Sequence, residues 1–174
     1  ERSIADKTVC ITGAGGSIGS ELARQAVNNG AKAVVLFEQS EFALYAIEAE
    51  LLKQAADLNA ECAIYPILGS VLDYDRVEQV LAQFEVKTIY HAAAYKHVPL
   101  VEHNLVEGVN NNVMGTLTMA QSALECGVSN FVLISFPSES TSSGSSTCAK
   151  PTTKLLSLIE IARATSSSSL TSNC

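Results

Sequence analysis

The chain has 174 residues, of which 47% are hydrophobic and 6% aromatic, and it carries a net charge of −7 at pH 7. This length suits a single domain with one core. The acidic balance, without clusters of Lys and Arg, argues against nucleic acid and anionic membranes as partners. No apolar run approaches the roughly 18 residues that span a bilayer, and the N-terminus lacks a signal-peptide pattern, so we expect a soluble cytoplasmic protein.

Short apolar or β-branched runs alternate with longer stretches of helical spacing over residues 1–135, a pattern typical of repeated βα units. The predicted strands are Thr8–Thr12, Ala33–Glu38, Cys62–Ile67, Thr88–Ala92 and Asn130–Ser135. The predicted helices are Ser20–Asn28, Glu41–Leu58, Tyr74–Phe84 and Val109–Cys126. The sequence therefore predicts an α/β fold, a doubly wound parallel sheet between two layers of helices.

The second predicted helix carries several apolar side chains at three- and four-residue steps. They are Phe42, Leu44, Tyr45, Ile47, Leu51 and Leu52. We expect them to form one stripe that packs on the sheet. The charged Glu41, Glu48, Glu50 and Lys53 are expected to face solvent.

The composition changes after Ser135, because nineteen of residues 135–174 are Ser or Thr. Such a stretch buries little apolar surface, although residues 154–163 have the composition of one short helix. We therefore place a boundary near Phe136, with a folded domain over residues 1–135 and a divergent tail over residues 136–174.

The five cysteines form no C-x-x-C pair and no metal-ligand spacing with the three histidines. We expect reduced, mostly structural thiols and no metal site. Cys10 and Cys62 lie in strand-like runs, where a small buried thiol is the usual role.

A glycine-rich turn, Gly13-Ala14-Gly15-Gly16-Ser17-Ile18-Gly19, follows the first strand and opens the first helix. This is the context in which such a turn binds a dinucleotide. Gly13 permits the tight turn, Gly16 lets the backbone approach the pyrophosphate, and Gly19 allows close helix packing. N–H groups at the helix N-terminus meet the pyrophosphate charge. The turn predicts a Rossmann-type domain that binds NAD or NADP.

The second strand ends at Glu38, whose carboxylate is placed to accept hydrogen bonds from the adenosine ribose hydroxyls. It would repel a 2′-phosphate, and no Arg follows nearby to offset it. Glu38 therefore favours NAD over NADP, and the hydroxyl of Ser40 is a second candidate contact.

Two further segments make the sequence recognisable. The spacing Gly-x-x-Gly-x-x-Gly, with His91-Ala92-Ala93-Ala94 at the fourth strand, resembles the extended short-chain dehydrogenase/reductases. The runs from Tyr90 to Glu102 and from Asn111 to Thr116 resemble a more specific group, the bacterial capsular-polysaccharide (CapD-like) UDP-N-acetylglucosamine 4,6-dehydratases and nucleoside-diphosphate-sugar epimerases. The resemblance covers residues 7–135.

This resemblance implies a nucleotide-sugar substrate, namely a UDP-sugar. Enzymes of the family oxidise the sugar at carbon 4, eliminate water across carbons 5 and 6, and return the hydride to carbon 6, so the dinucleotide is recycled. Mapped onto this chain, the cofactor contacts are Gly13, Gly15, Gly16, Ser17, Ile18, Gly19, Glu38, Ser40, Ser70, Val71, Ala92, Ala93, Ala94 and Asn112. Tyr95, Lys96 and His97 would face the nicotinamide and the sugar. Subunits of this superfamily commonly pair through helices, so a homo-oligomer is expected.

The sequence departs from the family after the fifth strand. The family has Ser-Thr-Asp-Lys, whose Asp and Lys act as acid and base, where this chain has Ser135-Phe136-Pro137-Ser138. Neither Phe136 nor Pro137 can transfer a proton. Lys154, with Lys150 four residues earlier, is a weak match to the family's active-site lysine, and a surface lysine is the interpretation that we favour. We expect the family's substrate domain to be missing. Two interpretations stay open: a dehydratase or epimerase, or an inactive NAD-binding or dinucleotide-sensing module.

Overall fold

The computed structural model describes residues 4–95 and 98–134, and within them five parallel strands form one sheet in the order β3-β2-β1-β4-β5. The strands are β1 (Thr8–Thr12), β2 (Ala33–Glu38), β3 (Ala63–Leu68), β4 (Thr88–His91) and β5 (Asn130–Leu133). The strand order reverses between β1 and β4, since β2 and β3 lie on one side of β1 and the later strands on the other. The predicted Rossmann-type parallel sheet is confirmed.

Six α-helices and one π-helical turn accompany the described strands. They are α1 (Ser17–Asn28), α2 (Glu41–Asp57), α3 (Tyr74–Gln83), α4 (Val98–His103), α5 (Leu105–Val109), the π-turn (Asn110–Met114) and α6 (Gly115–Glu125). The prediction of one continuous helix over Val109–Cys126 is wrong, because the π-turn occupies its first residues. Sequence periodicity also missed the short helices α4 and α5.

The two faces of the sheet carry separate apolar clusters. Val34 and Leu36 of β2 join a cluster with α1 and α2, whereas Val35 and Phe37 join a second cluster with α3 and α6. Consecutive strand side chains point to opposite faces, so a strand that is apolar throughout is covered on both. This arrangement produces the predicted three layers.

Side chains that accept hydrogen bonds from backbone N–H groups fix the starts of two helices. Ser40 Oγ accepts from the Ala43 N–H at 3.4 Å at the start of α2, and Asp73 Oδ1 accepts from the Arg76 N–H at 3.1 Å at the start of α3. Such caps satisfy first-turn donors that have no partner within the helix. The start of α1 has no side-chain cap.

The outward face of α2 corrects one prediction. Leu44, Ile47 and Leu51 are buried against the sheet as expected. Phe42 and Tyr45 instead lie on the solvent side, with exposed fractions of 84% and 70%. Leu52 is also exposed. The six apolar residues therefore form two stripes rather than one.

The predicted tail over residues 136–174, its short helix and the boundary near Phe136 lie outside the described residues. Within the described part of the chain, no helix is both long and apolar enough to cross a membrane.

The contact between α1 and the turn after β1 leads to a first prediction. A Cβ added at Gly19 would lie 2.0 Å from the Gly13 carbonyl oxygen, which is backbone and cannot move aside cheaply. We expect Gly19→Ala to lower the free energy of unfolding by roughly 3 kcal/mol, as overpacking does. Gly16→Ala, whose Cβ would lie 3.2 Å from the same oxygen, is the matched control. Urea denaturation measures both, and equal stability of the two variants would contradict this account.

Burial of Cys10 leads to a second prediction. Desolvation raises the pKa of this thiol from its ordinary 9.0 to about 12, so almost no thiolate forms at pH 8. Because the thiolate is the nucleophile, we expect maleimide to label Cys10 only when the protein unfolds. Cys62, which is partly exposed, is the internal control and should label much faster. Peptide-resolved mass spectrometry measures both rates, and equal rates in the native protein would disprove the expectation.

Candidate functional site

The carboxyl ends of the first four strands meet in a cleft of ≈ 270 Å³ that opens to solvent. It is lined by Gly13, Phe37, Glu38, Gln39, Gly69, Val71, Ala93 and Asn111. The cleft lies at the point where the strand order reverses, between β1 and β4. Open α/β sheets bind ligands outside the carboxyl ends of their strands at this point.

Gly13 joins the ends of three strands at the floor of the cleft. Its φ of +64° is in the left-handed region, and a Cβ there would lie 2.8 Å from the Ala93 Cα. Its N–H donates to the Phe37 carbonyl at 2.9 Å. A side chain at this position is therefore excluded twice, by backbone conformation and by the neighbouring strand end.

The N-terminus of α1 adjoins Gly13, whose carbonyl accepts from the Gly16 N–H at 3.0 Å, and it has no anionic side chain of its own. Gly16 occupies the cap position and so provides no side chain to cap the helix. The first turn also has no acidic residue. Unpartnered first-turn N–H groups and the positive end of the helix dipole favour an anion at such a helix start. Phosphate binding by this turn stays a prediction.

Glu38 is buried at the end of β2 and its carboxylate accepts three backbone hydrogen bonds. Oε2 accepts from the Gly15 N–H at 3.0 Å, while Oε1 accepts from the Gln39 and Ser40 N–H groups at 2.9 and 3.0 Å. These bonds offset the cost of burying the charge, because buried ionised groups need partners. They also fix the carboxylate between the glycine turn and the start of α2.

Two adjacent asparagines of the π-turn hold the segment that follows β4. Asn111 is 3% exposed, and its Nδ2 donates to the Ala93 carbonyl at 2.9 Å. Asn112 accepts from the Tyr95 N–H at 2.7 Å and donates to the Tyr95 carbonyl at 3.1 Å. The π-turn makes both contacts available, since its wider turn presents consecutive side chains to the same segment; such turns are frequent at functional sites.

His91 links β1, β4 and α6 through a buried set of hydrogen bonds. Its Nδ1 lies 2.7 Å from Thr12 Oγ1 and its Nε2 lies 3.1 Å from Thr116 Oγ1. Thr116 donates its single hydroxyl proton to the Asn112 carbonyl at 2.6 Å, so it must accept from the Nε2–H of His91. By this inference Nδ1 accepts from Thr12. The network positions Asn112 relative to the sheet.

Only some of the predicted cofactor residues line the cleft, and the others lie around it. Gly13, Glu38, Val71 and Ala93 line the cleft. Ser40 and Ser70 lie beside it, where Ser70 Oγ accepts from the Leu72 N–H at 3.2 Å. Gly15, Gly16, Ser17, Ile18 and Gly19 form the turn and the start of α1, and Ala92 and Ala94 flank Ala93.

Asn112 does not line the cleft, whereas its neighbour Asn111 does. The sequence analysis also missed Phe37, Gln39 and Gly69. Phe37, Gln39 and Gly69 lie at or next to a strand end, so the predicted sheet edge could have indicated them. The apolar periodicity gave no sign of the π-turn that places Asn111 on the cleft.

The predicted substrate residues are described only in part. Tyr95 is partly exposed, and its hydroxyl donates to Glu107 Oε1 at 3.4 Å. Lys96 and His97 lie outside the described residues. Among the residues that the structure describes, no group of three or more His, Cys, Asp or Glu side chains is arranged to hold a metal ion.

Solved structures share this fold. UDP-glucose 4-epimerase from Bifidobacterium longum, in complex with NAD+ and UDP, superposes with a TM-score of 0.63 at 22% identity, covering 91% of this chain and 48% of the epimerase. The structure of Pen from Bacillus thuringiensis superposes with a TM-score of 0.62 at 28% identity, covering 75% of this chain and 37% of Pen.

Curated relatives with similar sequences are proteins of polysaccharide biosynthesis. Capsular polysaccharide biosynthesis protein CapD of Staphylococcus aureus is 40% identical over 134 residues, which is 77% of this chain and 22% of CapD. Probable polysaccharide biosynthesis protein EpsC of Bacillus subtilis is 40% identical over 132 residues, 76% of this chain and 22% of EpsC. This chain thus spans about a fifth of the length of these relatives.

The inverting UDP-N-acetylglucosamine 4,6-dehydratase of Campylobacter jejuni is more distant, at 28% identity over 130 residues, 74% of this chain and 36% of the dehydratase. The model of one protein family matches residues 9–161, and so continues past residue 135, where we expected the resemblance to end. On this match, the chain belongs to the polysaccharide biosynthesis protein family.

Proposed function

We propose that this chain is the NAD-binding part of a nucleotide-sugar dehydratase or epimerase of surface-polysaccharide synthesis, with 4,6-dehydration of UDP-N-acetylglucosamine as the reaction. One observation carries the proposal. Gly13 and the buried Glu38 line one cleft at the point where the strand order reverses, and the uncapped start of α1 adjoins Gly13.

The residues around the cleft fit a dinucleotide. The first-turn N–H groups of α1 would hold the pyrophosphate, Glu38 the adenosine ribose, and Ser70 and Val71 the adenine ring. Ala93 and Asn111 lie on the far side of the cleft, where the nicotinamide would be held. When bound, the nicotinamide supplies reversible acceptance and return of a hydride.

The hydrogen bonds of Glu38 support NAD rather than NADP. An ionised carboxylate offers about four acceptor positions, and three are taken by backbone N–H groups. One position stays available for a ribose hydroxyl. A 2′-phosphate in that place would bring a second anion against a carboxylate that three bonds prevent from turning away.

The substrate side of the proposal depends on the segment after β4. Tyr95 is held by both polar groups of the Asn112 side chain, which accepts from and donates to the Tyr95 backbone. We propose that Tyr95, Lys96 and His97 contact the sugar nucleotide. The family match reaches residue 161 and so includes Lys154, which supports this lysine as the candidate active-site residue.

A second candidate function is a binding module without turnover. It is favoured by the sequence Ser135-Phe136-Pro137-Ser138, which offers neither a carboxylate nor an ammonium group where the family has its acid and base. Positioned acid and base groups typically contribute 10²- to 10⁴-fold to a rate. A chain without them would hold the dinucleotide and perform little chemistry.

Calorimetric titration tests the cofactor assignment. We expect NAD to bind and NADP to bind at least about ten-fold more weakly, a difference of about 1.4 kcal/mol. Glu38→Gln removes the charge at nearly constant size. It should weaken NAD binding by about ten-fold, because hydrogen bonds to charged groups are the stronger ones, and should reduce the preference over NADP.

Glu48→Gln is the control for this experiment, since Glu48 lies on α2 away from the cleft. Its affinities should match those of the unaltered chain. If Glu38→Gln bound both dinucleotides as the unaltered chain does, the ribose assignment would be wrong.

Addition of UDP-N-acetylglucosamine to the NAD-loaded chain separates the two candidate functions. Because the acid and base are missing, we expect NAD to bind without turnover of the sugar nucleotide. NMR in D₂O measures turnover as deuterium at carbon 5 of the sugar, and we expect none. Turnover that Lys154→Ala abolishes would establish the enzyme instead and would show that residues after 135 supply a catalytic group.

A further inference from the structure

The helix α2 has a second apolar face, opposite the one packed on the sheet. Its members are Phe42, Tyr45, Ala49, Leu52 and Ala56, all of them exposed. Phe42 is 84% exposed and Tyr45 is 70% exposed, which is unusual for two aromatic side chains on one helix face. We call these five residues the outer seam.

The spacing of the outer seam is that of a coiled-coil helix. Successive members are three, four, three and four residues apart, which matches the alternating a and d positions of a heptad. At 100° per residue the five side chains fall within one sector of about 80°, on the side of α2 away from Leu44, Ile47 and Leu51. A helix that is apolar on two opposite faces is normally covered on both.

Large and small side chains alternate along the outer seam from Tyr45 to Ala56. Ala49 lies between Tyr45 and Leu52, and Ala46 is exposed beside them. Large side chains that flank an alanine form a depression into which the side chains of a second helix fit. The shape therefore favours an α-helix as the occupant over a flat surface.

The charges beside the outer seam identify the chemistry of the partner. Glu41 and Glu48 border one side, about two helical turns apart, and neither forms a salt bridge with a cation of the described residues. On the other side, Lys53 lies next to the seam, and Glu50, farther round the helix, is paired with Arg24 of α1, whose Nε lies 2.6 Å from Glu50 Oε1. The border formed by Glu41 and Glu48 is thus free, acidic and suited to lysine or arginine.

The same charges disfavour a second copy of α2 in this position. The helix has four carboxylates and one lysine, Lys53, and a second copy packed antiparallel on the outer seam would place the Glu41 and Glu48 borders of the two helices against each other. Like charges at the borders of paired helices select against that pairing. The chain as a whole is also acidic, with a net charge of −7.

We propose that the outer seam docks an amphipathic helix of another protein, whose apolar stripe is bordered by lysine or arginine. The contact uses helix-in-groove recognition, with apolar residues at heptad spacing as anchors and the acidic border selecting the partner's sign of charge. The seam lies outside the cleft, so this interaction is separate from dinucleotide binding.

Two synthetic peptides test the proposal on the full chain by fluorescence anisotropy. Both are 21-residue helices with Leu and Ala at the a and d positions; one has Lys at the bordering e and g positions and the other has Glu. We expect the Lys peptide to bind at least ten-fold more tightly than the Glu peptide. The double variant Phe42→Ser/Tyr45→Ser should weaken the Lys peptide at least ten-fold.

Charge reversal by Glu41→Lys/Glu48→Lys should exchange the preference, so that the Glu peptide binds more tightly. Leu124→Ser is the control, because Leu124 is an exposed leucine of α6 and should leave both affinities unchanged. Circular dichroism verifies that each variant is folded.

Three results would overturn the proposal: no binding of either peptide, equal affinity for both, or an equal loss in Leu124→Ser. A fourth result would show that a second copy of the chain, rather than another protein, covers the outer seam. That result is an oligomer, detected by analytical ultracentrifugation, which dissociates only in the Phe42→Ser/Tyr45→Ser variant.

Discussion

The candidate site depends on the close approach of Gly13 to the elements around it. Its backbone lies against Ala93 at the end of β4, its N–H donates to the end of β2, and its carbonyl lies where a side chain at Gly19 would be. None of these contacts leaves room for a Cβ. The absence of side chains at Gly13 and Gly19 therefore allows one turn to bring β1, β2, β4 and the start of α1 together.

The electrostatics of the site follow from the same geometry. The turn places the Gly15 N–H within 3.0 Å of a buried carboxylate that the next two residues also bond. A buried charge is tolerated when several donors surround it. Glu38 thus stabilises the turn between β1 and α1.

Sequence reasoning reached the sheet and the turn because both depend on local pattern. The bounds of β1 and β2 agree with the prediction, since a fully buried strand between turn residues leaves little choice of register. The outer seam of α2 was assigned to the core because three- and four-residue spacing describes either face of a helix. Only contacts with α1 and the sheet distinguish Leu44 from its neighbour Tyr45.

The asparagines show a different limit. Asn111 and Asn112 are adjacent and chemically identical, and resemblance to the family assigned the cofactor contact to Asn112. The π-turn gives Asn111 the position on the cleft and assigns Asn112 to the Tyr95 backbone. A single inserted residue in a helix has no signature in apolar periodicity, because the register shift appears only when both flanking helices are placed.

The helix α2 connects the cleft with the outer seam. It starts at Ser40, whose N–H donates to Glu38, and Ala43 of its first turn is the residue that a side chain at Gly15 would strike, at 2.4 Å. Phe42 and Tyr45 of the outer seam belong to that same first part of the helix. The position of α2 is therefore set by the buried carboxylate and the glycine turn at its start, so the contacts that build the cleft also determine how the outer seam is presented to solvent.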